Sequence, residues 1–297
     1  MSPRPIILVG SALAAAVLAW TGAPCGSEPP AQGQDRGAVR AIEPALDELL
    51  KSLQGGPIEL RPVRLGPGMI SRSTAVQKAE RYLGVRNPPA HAWCVLVTDG
   101  EFMGGWLRER PCWLLEYGTE AAWLRGSEKH TAPALYATVD AETGVCWELF
   151  TKPRGAWWES VAFKGADVVR RFHQWGEVSS PSQMPPGIPA LRALDIVAQH
   201  AKLRTFLMKG RQVIARYFGY TTRNHGIGIR RLDGLEVVPR LLDHGVWFIS
   251  LEGIDAPWPG PMPRMPSGTE RDTRRIQEAN AVVDATTGTL LSWGHYR

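Results

Sequence analysis

Two halves of this chain repeat the same succession of hydrophobic and polar patterns. In each half, a stretch with apolar residues every three or four positions predicts a helix, and shorter stretches of period-two alternation predict strands. The helical patterns lie at 73–83 and 190–207, and the clearest strand patterns at 111–117 and 245–253. This repeated order favours the α+β class, with two similar modules that each pack a helix on a curled antiparallel sheet.

Each half ends its strand pattern with the phrase Val-Asp-Ala-x-Thr-Gly. An aspartate carboxylate accepts backbone N–H groups two or three residues further on, and a glycine adopts the left-handed conformation that closes a four-residue hairpin loop. We interpret these residues as structural turn residues, and a role in acid–base chemistry or metal binding is the alternative. The predicted turn residues are Asp140 and Gly144 in the first copy, and Asp284 and Gly288 in the second.

The limits of the repeated pattern divide the chain into five parts. A short uncharged apolar run, followed by small residues and proline, predicts a signal peptide or membrane anchor over residues 1–24. A linker with a helix (25–67) and the first module (68–152) follow. A second linker (153–187) then leads to the second module (188–297).

The order helix, strand, strand and Val-Asp-Ala-x-Thr-Gly hairpin resembles the PepSY family. These small modules occur in exported or membrane-linked bacterial proteins, often in tandem, and some lie in propeptides of secreted metallopeptidases with an inhibitory role ascribed to them. The resemblance implies tandem PepSY-like modules and a regulatory role towards a peptidase. Because this chain has no His-Glu-x-x-His motif, such inhibition would act in trans.

The cysteines fit a compartment outside the cytoplasm. Cys94, Cys112 and Cys146 lie on predicted strands, which favours one cross-strand disulfide and one remaining thiol in an oxidising space. Cys94 with Cys112 is the favoured pair because their strands are consecutive, but the sequence leaves the pairing open. Cys25 adds lipidation as an alternative to signal cleavage or a retained anchor. We therefore expect a protein that is secreted or anchored on the outer face of a bacterial cytoplasmic membrane.

Positive charge is concentrated in one interval. The formal net charge is only +5, yet no acidic residue occurs between Asp195 and Asp233, where Lys and Arg are frequent. This interval predicts attraction to an anionic cell-wall polymer or membrane surface, and a solvated face balanced by acids elsewhere is the alternative. The candidate binding cations are Arg216, Arg223, Arg230 and Arg231.

Tryptophan supplies the other candidate surface. Trp157, Trp158 and Trp175 follow the first module, where they form either a sticky surface for a partner or the packing between modules. The chain has no Gly-x-Ser-x-Gly motif and no two histidines at a helical metal-binding spacing, so we expect no enzyme activity, metal or cofactor. The sequence thus predicts an exported binding or regulatory protein whose partner is an envelope or secreted protein, such as a peptidase, and not a nucleic acid.

Overall fold

The computed structural model describes residues 43–85, 87–99, 107–118, 134–155, 176–180, 185–222, 228–231, 234–237, 241–257 and 275–296. The helices of these residues are α1 Pro44–Leu53, α2 Arg72–Leu83, α3 Ala190–Gln199 and α4 Ala201–Lys209. The strands are β1 Ile58–Pro62, β2 His91–Asp99, β3 Arg110–Tyr117, β4 Leu135–Asp140, β5 Cys146–Thr151, β6 Gly176–Ser179, β7 Gln212–Thr222, β8 Gly228–Arg231, β9 Gly234–Val237, β10 His244–Pro257, β11 Arg275–Asp284 and β12 Leu290–Tyr296.

One antiparallel sheet organises the described residues. Its strands follow the order β1-β2-β3-β4-β5-β7-β10-β11-β12, and β6 pairs with β7 beside this path. The strands β8 and β9 form a separate two-stranded sheet. The two halves of the sequence meet where residues 148–150 of β5 lie opposite residues 214–216 of β7.

This continuous sheet shows that the predicted fold class is wrong. The sequence predicted two modules, each a helix on its own curled sheet, whereas the strands of both halves belong to one sheet that dominates the structure. The physical reason is that β5 and β7 would otherwise be unpaired edge strands. If the halves stayed apart, β5 and β7 would each present a row of unpaired N–H and C=O groups, and pairing them satisfies both rows.

The repetition in the sequence corresponds to repeated contacts within this sheet. In the first half, Trp113 Nε1 donates to the Ile70 carbonyl at 2.9 Å. In the second half, Trp247 Nε1 donates to the Ile188 carbonyl at 2.9 Å. The N–H groups of the same two isoleucines donate to the carbonyl of the alanine after each turn aspartate, at 2.7 and 2.8 Å.

The helices form as the sequence directs, with one exception. Helix α2 begins after Ser71, whose Oγ accepts the Thr74 N–H at 3.2 Å, and it ends at Gly84 with a φ of +74°. The single helix predicted over 190–207 is instead two helices, because His200 has an extended backbone with φ −80° and ψ 116°. No helix within the described ranges is long and apolar enough to span a membrane.

The predicted disulfide is not formed. Cys94, Cys112 and Cys146 are free thiols. Cys94 lies opposite Trp113 while Cys112 lies opposite Val95, so the two side chains point to opposite faces of the strand pair. Burial raises the pKa of the Cys112 and Cys146 thiols well above the ordinary value, which keeps both protonated and unreactive.

Candidate functional site

The strand β1 lies at one end of the sheet and pairs only with β2 in the described part of the chain. Directly after β1, the Val63 N–H donates to the Cys94 carbonyl at 3.0 Å. Antiparallel strands exchange hydrogen bonds at every second residue. The residues of β1 that bond β2 are therefore Arg61 and Glu59, at two and four positions before Val63. The N–H and C=O groups of the intervening Ile58 and Leu60 point away from β2, towards the open edge.

A groove of about 380 Å³ lies between α1 and this edge. Leu53, Ile58 and Leu60 line it and are buried, and Leu50 is half-buried. The polar residues and glycine that line it are Lys51, Gln54, Gly55, Glu59 and Arg61. An apolar surface with a polar border is the usual composition of a site for peptides or small ligands.

A short turn holds α1 beside β1. The helix buries Leu46, Leu49 and Leu53 on one side, and this spacing of three and four residues fixes which side faces the sheet. Gly55 has a φ of +75°, a left-handed conformation that reverses the chain directly into β1. The geometry of the groove therefore depends on this glycine.

Both cations that line the groove, Lys51 and Arg61, are already paired. Lys51 Nζ lies 2.6 Å from the Asp47 carboxylate, and the hydrogen bond and charge of Asp47 raise the pKa of Lys51. Arg61 forms an ion pair with Glu109. The groove thus offers little net charge, so we expect it to select a ligand by main-chain hydrogen bonds and apolar contacts.

A second feature is a polar cluster on the sheet face opposite α2. Tyr217 packs edge-on against Tyr82 of α2, with 5.8 Å between ring centres, so its neighbour Arg216 points to the other face. There Arg216 Nε lies 3.5 Å from the Glu148 carboxylate, and both residues are buried. We call this group the carboxylate cluster, and its members are Glu148, Arg216, Ser250, Glu252, Glu278 and Asn280.

Two carboxylates of the cluster face each other directly. Glu252 of β10 lies opposite Glu278 of β11, and Ser250 Oγ lies 3.0 Å from the first carboxylate and 3.2 Å from the second. Burial raises the pKa of Glu278, while hydrogen bonds from Asn280 and Ser250 and the charge of Arg216 act against this rise. One hydroxyl proton cannot bond both carboxylates at once, so Ser250 satisfies only one of them at a time.

This cluster does not match a metal centre. In the part of the chain that the structure describes, no three or more His, Cys, Asp or Glu side chains are arranged to hold a metal ion. Glu252 and Glu278 are accompanied by the cation of Arg216, which opposes a second cation. The carboxylate cluster is a candidate site for proton binding and for an effect on the stability of the fold.

The predicted turn residues lie in two equivalent hairpin turns. Asp140 Oδ1 accepts two backbone N–H groups at 2.8 and 2.7 Å, and Asp284 Oδ1 accepts two at 2.7 and 3.0 Å. Gly144 and Gly288 have φ angles of +73° and +76°. In this geometry both carboxylates serve the backbone of their own turn.

Each turn aspartate also has a basic neighbour, and the two neighbours differ. Arg110 Nε lies 3.1 Å from Asp140, and His244 Nε2 lies 3.0 Å from Asp284. Burial raises the pKa of Asp284, but hydrogen bonds from the turn and from His244 outweigh it and leave the pKa below the ordinary value. The carboxylate of the second turn therefore stays charged at neutral pH.

The other predicted binding residues have different placements. Arg216 is buried in the carboxylate cluster rather than on a surface. Arg230 and Arg231 lie on β8, and the structure does not describe their side chains. The residues outside the described ranges altogether are Trp157, Trp158, Trp175, Arg223 and Cys25.

No protein-family model, curated protein sequence or solved structure matches this chain. The resemblance to the PepSY family therefore stays a prediction. The groove beside β1 is the leading candidate for a binding site, since it combines an apolar surface with main-chain groups turned outward.

Proposed function

We propose that this chain is an exported, non-enzymatic binding protein that takes up an extended segment of a partner protein along β1. The observation that carries the proposal is the open edge of β1 beside the apolar groove. An extended peptide that pairs with Ile58 and Leu60 would add a strand to the sheet and satisfy their N–H and C=O groups. The sheet has this free position at β1 because the described strands pair β1 on one side only.

The groove adds selectivity to this main-chain recognition. In an added strand, the residues opposite Ile58 and Leu60 direct their side chains to the same face as those two residues. That face carries α1, so alternate side chains of the partner enter the groove lined by Leu50 and Leu53. The expected partner segment therefore has apolar residues at alternate positions and no proline at the bonded positions.

The partner that we propose is an envelope or secreted protein, with a peptidase as the leading case. Strand addition uses main-chain groups and alternate side chains, so it requires no catalytic residue, metal or cofactor of this chain. Occupying β1 with a segment of a peptidase would modulate that enzyme in trans.

The test compares two substitutions at one position. Leu60→Pro removes the leucine side chain and the outward N–H, but no hydrogen bond to β2. Leu60→Ala also removes most of the leucine side chain but keeps the N–H. Binders are selected from a library of extended peptides displayed on phage, and their affinities are measured by fluorescence polarisation. Since a lost main-chain hydrogen bond in an apolar site costs about 1–3 kcal/mol, we expect Leu60→Pro to bind roughly tenfold more weakly than Leu60→Ala.

Thermal unfolding of both variants shows whether β1 remains in place. If Leu60→Pro and Leu60→Ala bind the selected peptides equally well, strand addition at β1 is refuted. A library that yields no binder to the parent protein also counts against the proposal.

A further inference from the structure

Helix α4 exposes a face that peptide binding at β1 does not use. Its buried residues are Leu203, Phe206 and Leu207. The remaining positions recur every three or four residues and therefore lie on one side of the helix. The exposed residues of α4 are Ala201, Lys202, Arg204, Thr205, Met208 and Lys209, with no acidic residue among them.

Two further cations extend this face beyond the helix. Arg211 is exposed shortly after α4, and its carbonyl accepts the Arg154 N–H at 3.0 Å, which places the exposed Arg154 next to it. Ion pairs elsewhere in the described ranges involve other residues. The α4 face thus has these cations with no ion-pair partner in the described ranges: Arg154, Lys202, Arg204, Lys209 and Arg211.

The α4 face also contains apolar and aromatic groups. Met208 is 38% exposed, although large hydrophobic side chains are otherwise mostly buried in the described residues. Lys202 Nζ lies 5.7 Å from the ring centre of the half-buried Trp293, and the His200 ring lies 5.0 Å from the same indole. Cations interspersed with a thioether and an indole are typical of helices that lie in a membrane interface.

We propose that the α4 face docks on the surface of a membrane rich in anionic lipid. A soluble polyanion would interact with the cations alone. Met208 and Trp293 contribute to binding only where lipid acyl chains lie beneath the headgroups. The helix would lie flat on the membrane, since its exposed face runs along its whole length. The α4 face is separate from β1. Helix α4 follows α3 on the sheet face away from the carboxylate cluster, whereas β1 is the strand at one end of the sheet.

The test uses two double variants that change charge equally. Arg204→Glu with Lys209→Glu reverses two exposed cations on α4, and Arg72→Glu with Arg81→Glu reverses two exposed cations on α2. The parent protein and both variants are sedimented with vesicles of phosphatidylcholine, with and without phosphatidylglycerol. Since each cation near an anionic surface contributes roughly a fivefold gain in affinity, we expect the α4 variant to bind the anionic vesicles a hundredfold or more weaker than the parent protein. The α2 variant should retain most of the binding.

A third variant separates a lipid surface from a soluble polyanion. Met208→Ser should weaken binding to anionic vesicles but leave binding to soluble polyglutamate unchanged. The proposal is overturned if the parent protein does not sediment with anionic vesicles, or if both double variants lose binding equally. It is also overturned if the parent protein binds polyglutamate but not vesicles.

Discussion

At the scale of single residues, the unusual feature is a pair of carboxylates that oppose each other across two strands. Glu252 and Glu278 lie side by side in the register of β10 and β11. Two charged carboxylates in that position repel each other, and a sheet interior gives them little water. Burial raises the pKa of Glu278, because loss of water disfavours the charged form of the carboxyl group.

This pKa makes stability depend on pH in a definite direction. A carboxyl group whose pKa is raised in the folded state binds its proton more tightly than in the unfolded chain. Its contribution is complete below the ordinary value of 4.5 and is lost as pH rises through the higher folded value. Glu278→Gln is neutral at every pH, so we expect its free energy of unfolding to rise relative to that of the parent protein as the pH increases above 4.5.

Urea unfolding of both proteins at several pH values measures this difference. The matched control is Glu80→Gln on the exposed side of α2, which should follow the parent protein. A Glu278→Gln profile parallel to that of the parent protein would show that Glu278 does not bind its proton more tightly in the folded state.

At the scale of elements, the groove depends on the turn between α1 and β1. Gly55 has a φ of +75°, whereas the next residue, Gly56, does not have a positive φ. A side chain at a left-handed position costs about 1–2 kcal/mol. We therefore expect Gly55→Ala to lower the free energy of unfolding by about that amount, and to weaken binding of the selected peptides.

Gly56→Ala is the matched control, since it adds the same methyl group one residue further on. Guanidinium unfolding measures the stability of both variants, and fluorescence polarisation measures their peptide affinity. Equal losses in the two variants would mean that the left-handed turn does not fix the position of α1.

Individual elements were more predictable from sequence than their pairing. Ser71 as the cap of α2 and Gly84 as its end both follow from local chemistry, because a serine hydroxyl accepts a backbone N–H and glycine adopts a left-handed conformation. The break at His200 has no such signal, because neither glycine nor proline stands there. The β5–β7 pair joins residues far apart in sequence, and Glu148 and Arg216 each resemble surface residues when considered alone.

The candidate site was predicted even less completely. The groove requires the position of α1 relative to the edge of β1, which no sequence pattern encodes. The basic interval was visible, but the sequence did not show that Arg216 is buried while α4 exposes its cations. A glutamate inside an otherwise apolar strand, such as Glu148 in Cys146–Thr151, is the one signal that could have indicated the carboxylate cluster.

At the scale of the whole molecule, one ion pair lies where the two halves join. Arg216→Met leaves the buried Glu148 without this cation, and removing one partner of a buried pair typically costs about 3–5 kcal/mol. We expect a loss of that size in denaturant unfolding. Combining Arg216→Met with Glu148→Leu should recover much of it, because apolar replacement of both partners is often close to neutral.

The double-mutant cycle decides whether the pair acts as a unit. If the losses of the two single variants simply add in the combined variant, Glu148 and Arg216 are not coupled across the β5–β7 pair.

The continuous sheet also determines how the gene could be divided. A cut between β5 and β6 would yield two polypeptides, and each would lose the partner of one strand: β5 would lose β7, and residues 214–216 of β7 would lose β5. Neither piece should stay soluble by itself, yet produced together they should find each other and reassemble. The boundary between the two repeats of the sequence would thus serve as a site for split-protein complementation rather than for isolating domains.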